Sequence, residues 1–379
     1  VIPPPLGLYV HIPWCLRKCP YCDFNSHAVA GELPESAYVD ALLADLARQA
    51  PQVADRPVQT VFFGGGTPSL FSGAAIARLL EGIAATVALA PDAEITLEAN
   101  PGAAEAARFS DYRAAGVNRL SIGVQSLDDA CLRALGRVHN ADQARQAVEQ
   151  ARAAGFDNLN LDLMYGLPGQ NMDGALADLR AVLALSPEHL SWYQLTLEPN
   201  TLFHARPPAL PDADTVADIM EAGLALLAGA GYHQYEVSAH ARPGRAARHN
   251  CNYWTFGDYL GIGAGAHGKL STPDGRVRRY SRPRHPRDYL AAPTAPGSER
   301  ILSVDDLPLE FLMNALRLHS GVSASLFRER TGLSLAVIEA PLAQARARGL
   351  LEDDPAVLRP TALGRHFLDD LLLLFEVSA

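Results

Sequence analysis

The chain of 379 residues contains few of the features that would place it in a specialised class. No window approaches the roughly 20 consecutive apolar residues that a membrane-spanning helix needs. The opening VIPPPLGLYV has neither the basic start nor the long apolar core of a secretory leader. Positive charge is in deficit: 32 Lys and Arg stand against 42 Asp and Glu, for a net charge of −10. Such a balance argues against broad electrostatic binding to nucleic acid. Glycine (30) and proline (27) are spread along the length, with 48% hydrophobic and 20% charged residues. That mix excludes a disordered tail, a collagen-like repeat and a coiled coil. Cysteine is scarce and odd in number, at five. An odd, clustered set is a poor disulfide framework, and the expectation is a soluble cytoplasmic protein.

Three of those cysteines, Cys15, Cys19 and Cys22, fall within eight residues, whereas Cys131 and Cys251 are isolated. Clustered thiols in a reducing compartment point to a metal or a metal cluster. The segment YVHIPWCLRKCPYCDF reads as a strand running into CxxxCxxC. Three thiolates on one tight loop can hold three irons of a [4Fe–4S] cluster and leave the fourth open to a small chelating ligand. Arg17 and Lys18 place positive charge beside the thiolates, which favours their ionised form. The alternative is a structural zinc site completed by His11 or His27. It lacks the second short Cys or His cluster that such sites ordinarily use.

Beyond this loop, short apolar runs alternate with amphipathic stretches for more than half the chain. VQTVFFGGG, EITLEAN, NRLSIGVQ, NLNLDLMYG and HLSWYQL read as strands, separated by helical sequence such as PESAYVDALLADLARQA. One helix is expected to open near Ser72. Gly116 and Gly155 stand where helix C-termini favour a left-handed residue. Six or seven strands alternating with helices imply an α/β fold with a parallel sheet. Because the polar candidates recur just after successive strands, the expected architecture is a partial (β/α)6 barrel over 1–238. Residues 239–300, rich in Gly, Pro, Arg and aromatics, read as an irregular connecting region. Residues 301–379 read as a C-terminal, winged-helix-like α+β module of helices and a hairpin. With 7 Arg and no Lys against 11 Asp and Glu, this module lacks a basic DNA-binding face and is expected to pack or to bind a partner.

The strand-then-CxxxCxxC loop resembles the radical S-adenosylmethionine (SAM) superfamily, in which SAM chelates the open iron and is reductively cleaved to a 5′-deoxyadenosyl radical. The rest of the chain resembles the branch that holds oxygen-independent coproporphyrinogen III oxidase (HemN) and the HemW-type haem chaperones, and is closest to the latter. This resemblance implies a [4Fe–4S] cluster on Cys15, Cys19 and Cys22. It also implies a SAM pocket formed by Tyr9, Tyr21, Gly66 and Thr67 of the GGGTP loop, Glu98, Gln125, Arg137 and Asp162. From the residues alone, each polar group inside an apolar strand is either paired in the core or faces a cavity.

Two features favour the chaperone type over the oxidase. Asp23 and Phe24 follow Cys22 where the oxidase carries a further cysteine, and the chain is short before the cluster loop. The third feature is RHNCNYW, whose His249, Asn250, Tyr253 and Trp254 resemble the HNxxYW pattern of HemW-type proteins. The resemblance implies haem contact by His249, Tyr253 and Trp254. Read without it, His249 is a loop residue bonded to its surroundings and Cys251 a buried inert thiol. RVRRYSRPRHPR sets six arginines, Arg276, Arg278, Arg279, Arg282, Arg284 and Arg287, in twelve residues. A solvated face is the ordinary reading of such a run. Haem propionates, an acidic partner or an anionic membrane surface are its functional alternatives. The expectation is therefore a haem-binding protein that hands haem to acceptor proteins, with no nucleic-acid partner. Peripheral membrane association and a homodimer stay open, and oxidative decarboxylation of coproporphyrinogen III is the second reading.

Overall fold

The computed structural model describes residues 3–54, 56–272 and 274–376. Six parallel strands follow one another in the chain and in space: β1 (Leu6–Ile12), β2 (Val58–Gly65), β3 (Leu89–Ala99), β4 (Arg119–Gln125), β5 (Leu159–Tyr165) and β6 (His189–Gln194). Helices α1 (Glu35–Gln49), α2 (Gly73–Thr86), α3 (Phe109–Ala115), α4 (Ala141–Ala153) and α5 (Met172–Ala184) lie between them, and α6 (Ala213–Gly229) follows β6.

The alternation within each strand divides the two faces. In β1, Leu6, Leu8, Val10 and Ile12 are at most 1% exposed and join the main core with Leu42, Leu46, Leu79 and Ile83 of the covering helices. Gly7, Tyr9 and His11 take the other face, where Tyr9 stacks on Phe62 of β2. That inner face is polar along the sheet, with Thr60, Thr96, Ser121, Asn160 and His189 all buried. Its side chains converge on shared cavities, which is the geometry of a partial barrel. Local chemistry sets the helix ends. Ser72 caps α2 by accepting from the Ala75 N–H at 3.2 Å, and Asn140 with Gln143 forms a capping box on α4. Gly116 closes α3 in a left-handed conformation, φ 110°.

Residues 239–300 are not irregular. After β7 (His233–Gln234) come β8 (Ala239–Ala241), the short helix α7 (Arg248–Trp254), β9 (Asp258–Ile262), β10 (His267–Ser271), β11 (Val277–Ser281) and β12 (Glu299–Ile301). All these strands join one twelve-stranded sheet in the order β12-β11-β10-β9-β1-β2-β3-β4-β5-β6-β8-β7. β9 lies parallel to β1, and the three strands beyond it run antiparallel. Buried ion pairs hide these strands from a hydrophobicity reading. Asp258, fully buried, meets Lys269 at 3.1 Å and Arg56 at 2.9 Å. The HNCNYW segment, expected in a loop, forms α7.

The C-terminal module contains α8 (Asp306–Ala315), β13 (Val322–Ser323), α9 (Ala324–Thr331), α10 (Glu339–Ala347) and β14 (Val357–Leu358), which pairs antiparallel with β13. The strand pair joins a segment before α9 to one after α10, whereas within 350–361 Leu351 and Pro360 form a single antiparallel bridge. The module's own core includes Phe311, Phe327 and Leu342, and also takes in Phe256 from the turn before β9 and Val277 of β11. Among the described residues no helix is long and apolar enough to cross a membrane.

Candidate functional site

Cys15 lies three residues past the end of β1, so the strand fixes where the cysteine loop begins. The chain then returns beside its own start: the His27 N–H donates to the Pro13 carbonyl at 2.7 Å and the Val29 N–H to the Cys15 carbonyl at 2.9 Å. Asn25 Nδ2 fastens the loop from outside by donating to the carbonyls of Ala264 (3.0 Å) and Arg284 (2.8 Å). The glycine loop after β2 is sewn against it. Gly66 N–H donates to the Ile12 carbonyl at 2.8 Å and Thr67 N–H to the Trp14 carbonyl at 2.7 Å. A Cβ at Gly66 would stand 2.6 Å from the Trp14 carbonyl oxygen, so only glycine permits this approach.

The three thiols are half-buried and line one cavity with Tyr21, Gly66, Thr67, Glu98, Gln125, Arg137 and Asp162. Seven of the eight residues expected around SAM therefore meet the cysteines in a single site. The eighth, Tyr9, lines an adjoining cavity that shares Glu98 and Gly65. Thr67 Oγ1 donates to Cys15 Sγ at 3.4 Å, and Arg137 Nη1 approaches Cys19 Sγ at 3.5 Å. Among the described residues, the cation within hydrogen-bond reach of a thiol is Arg137. Lys18 instead donates to the loop's own Phe24 carbonyl at 3.0 Å. Burial pushes the Cys15 thiol up, partly offset by the Thr67 hydroxyl. A cationic iron would favour the thiolate against that burial.

Glu98 and Asp162 line the same cavity. Burial, and then the neighbouring Asp162, raise Glu98 to about 8, while the Gly65 N–H (3.3 Å) works the other way. Burial also raises Asp162, against hydrogen bonds headed by Asn160 at 2.8 Å. Neither carboxyl forms a salt bridge among the described residues. Two buried acids without a salt-bridge partner fit a cationic ligand, whose charge would favour their ionised form against burial, and SAM carries both a sulfonium and an ammonium group. The three thiols in the same lining fit three irons of a [4Fe–4S] cluster. His11, offered as a zinc ligand in the alternative reading, has both ring nitrogens engaged, with Tyr9 Oη at 3.1 Å and the Asn25 carbonyl at 2.9 Å.

Gln125 reaches the site through a left-handed backbone, φ 66°, at the bulged end of β4. Such strain in a non-glycine residue marks a site held by its surroundings, and Tyr193 Oη donates to Gln125 Oε1 at 2.8 Å. Tyr193, Asn100 and Ser121 also line the cavity without having been singled out. Asn100 donates to Thr67 Oγ1 (3.1 Å) and accepts from Arg137 (2.7 Å). Its position two residues after Glu98, in LEANP, was the available signal.

His249, Tyr253 and Trp254 lie elsewhere. His249 is 1% exposed, at the opposite end of the inner face near Gly7 and Thr60. Its Nδ1 meets Thr60 Oγ1 and its Nε2 meets Tyr253 Oη, each at 2.8 Å. It also stacks on Phe62 at 5.1 Å. Burial lowers the imidazole to about 3. With both nitrogens engaged, His249 offers no lone pair to an iron in this structure. Trp254 is stacked beneath Arg317 of the C-terminal module, 4.3 Å away.

The arginine run is a solvated face only in part. Arg276 pairs with Asp274, Arg278 with Glu299, Arg279 with Glu310 and Arg282 with the buried Asp45. Arg276, Arg284 and Arg287 are exposed.

The radical SAM superfamily model matches residues 9–182, and the HemN C-terminal domain model matches 302–367. The chain is 52% identical over 372 residues to the heme chaperone HemW of Escherichia coli K12, covering 98% of each. It is 48% identical over 376 residues to the heme chaperone HemW of Haemophilus influenzae, again covering 98% of each. The solved structure of coproporphyrinogen III oxidase (HemN) from Escherichia coli superposes with a TM-score of 0.83 at 26% identity, over 99% of this chain and 91% of that one. The superfamily match spans the three cysteines and every residue expected around SAM, and the relatives align from end to end. The chain belongs to the radical SAM superfamily and, within it, to the HemW family.

Proposed function

We propose that this protein binds haem and passes it to acceptor proteins, on a scaffold that carries a [4Fe–4S] cluster and SAM. The observation that carries this reading is the 52% identity, over 98% of both chains, to a protein described as a heme chaperone. Asp23 and Phe24 after Cys22 agree with it. A cluster with bound SAM supplies one-electron reduction and radical chemistry. The chain's own residues do the positioning. Cys15, Cys19 and Cys22 would hold the cluster, and Gly66 and Thr67 would present backbone to the methionine end of SAM. Glu98 and Asp162 would face its cationic groups, and Arg137 would balance charge at Cys19.

The test separates chaperone from oxidase. Protein reconstituted without oxygen is given SAM, reductant and coproporphyrinogen III, and separately titrated with haem. The expected result is one haem per chain and no vinyl product by mass. Vinyl product would make the protein an oxidase, and absence of haem binding with an intact cluster would overturn the proposal. In the triple variant Cys15→Ala, Cys19→Ala, Cys22→Ala, cluster absorbance should vanish; its survival would remove the cluster assignment.

A further inference from the structure

Arg119, the first residue of β4, is a buried charge without a partner. It is 2% exposed. Among the described residues its guanidinium forms no ion pair and no hydrogen bond, and its Nε is buried and unsatisfied. A guanidinium keeps its proton inside a protein, so burial cannot neutralise it. A buried charge is costly unless other charges balance it. The other cation near the acids of the cofactor site, Arg137, is by contrast bonded to Cys19, Asn100 and the Gly123 carbonyl.

The strand register places this charge. Arg119 lies opposite Thr96, and Ser121, two residues on, lies opposite Glu98. Ser121 Oγ stands 3.4 Å from Asp162 Oδ2 and accepts from Asn160 Nδ2 at 2.8 Å. Glu98, Ser121 and Asp162 thus form one rung of the inner face, and Arg119 occupies the rung beneath, roughly 7 Å away along the strand. At that range a charge is still felt in a protein interior. Burial raises both acids, and the Arg119 charge is among the influences that work against it. Glu94, on the far side of Thr96, already accepts from the Arg248 and His249 N–H groups at 3.1 and 3.0 Å.

We propose that Arg119 is a positioning residue for SAM: from the rung below the pocket it supplies the positive charge that lets Glu98 and Asp162 turn negative charge towards a cationic ligand. The inference rests on the reading of that cavity as a SAM pocket. Arg119 is absent from the cavity lining, so it acts through the two acids and does not touch the ligand. The other ionisable groups around it titrate elsewhere. Burial lowers His189 and His249, the latter to about 3, and raises Cys251 to about 11 and the Tyr235 phenol as well. Burial likewise raises Tyr9 and Tyr193 beside the acids. Near neutral pH these groups stay uncharged, and a change in the pocket's charge belongs to Glu98 and Asp162.

The experiment compares wild type, Arg119→Met and Arg119→Lys, each full-length with its cluster reconstituted, by equilibrium dialysis of SAM from about pH 6.5 to about pH 9. Wild-type affinity should rise with pH as the acids ionise. In Arg119→Met the rise should move up by about one pH unit, leaving affinity roughly tenfold weaker near pH 7 and converging on wild type at the alkaline end. Arg119→Lys keeps the charge and should follow wild type. The titration of SAM itself is common to all three proteins, so a displacement between them belongs to the chain. Without SAM, the infrared carbonyl band of a protonated carboxyl, assigned by its loss in Glu98→Gln, should persist to higher pH in Arg119→Met. Cluster absorbance and far-UV circular dichroism check the fold, and Arg119→Gln replaces the methionine variant if that variant fails the check. Coincident profiles, an equal loss of affinity at every pH, or the same displacement in Arg119→Lys would each overturn the inference and leave the pocket reading intact. If wild type with an intact cluster binds no SAM, the pocket reading falls and takes the inference with it.

Discussion

Glu98 shows how one carboxyl ties stability to ligand binding. Its ordinary value is 4.5, and burial raises it to about 8 in the folded chain. The folded state therefore holds this proton more tightly than the unfolded state, so stability is lost as pH rises from 4.5 through 8. Several buried imidazoles act with the opposite sign. His249 is lowered to about 3, and His11, His139 and His240 to about 4. Their contribution is lost as pH falls from about 6.5 towards those values, and is constant above that window. Between pH 6.5 and 8 the Glu98 slope stands clear of the histidines. The thermal midpoint of SAM-free protein should fall across that interval, and Glu98→Gln should flatten the fall; an equally steep fall in the variant would show that Glu98 is not its source. Glu98 and Asp162 were legible in sequence because an acid inside an apolar strand needs a reason. His249 carried the same kind of signal and led elsewhere. A polar residue in a motif does not reveal whether its partners are Thr60 and Tyr253 within the chain or a ligand outside it.

Among the elements, the glycine loop after β2 is the most constrained. Gly65 has φ 110°, and a side chain at Gly66 would collide with the backbone of Pro13 and Trp14. Gly66→Ala should therefore push the loop off the cysteine segment and cost about 1–3 kcal/mol of stability. SAM affinity, followed by its effect on the cluster's EPR signal, should drop together with the denaturation midpoint. An alanine variant with wild-type SAM affinity would show that the loop does not meet SAM. The parallel strands were readable from runs such as VFF and LDLMY, apolar on both faces. The strands over 258–301 were not, because their charged side chains are neutralised by partners distant in sequence. Arg279 meets Glu310, and Lys269 meets Asp258 under the ring of Phe256, its Nζ 4.1 Å from the ring centre. No alternation of apolar residues survives that arrangement.

At the level of the whole molecule, the C-terminal module is attached through aromatic packing. Phe256 from the sheet side meets Phe311 at 5.6 Å, and Phe311 meets Phe327 at 5.4 Å. Arg317 bridges to Glu236 at 2.9 Å while covering Trp254. Phe311→Ala should cost about 3–5 kcal/mol and loosen this joint first. Limited proteolysis should then release the module, with a change in Trp254 fluorescence, before the barrel unfolds; a single cooperative transition would show that module and barrel unfold as one unit. Sequence indicated that such a module exists and that it is acidic. Which surface it covers depends on Phe256 and Trp254, which belong to a different stretch of the chain.

The position of β1 has a consequence for how the protein is made. The strand that leads into the cysteine loop precedes the other strands of its sheet in the chain, yet it lies between β2 and β9 in the interior of the sheet. The Asn25 side chain donates to the carbonyls of Ala264 and Arg284, 239 and 259 residues further along. On the ribosome, β1 remains an open sheet edge until residues 258–262 have emerged, and open edges recruit other strands. Contacts so distant along the chain also form slowly. Iron–sulfur assembly therefore belongs late in the protein's biogenesis, and a chain stalled before residue 258 would expose both its thiols and its most adhesive strand.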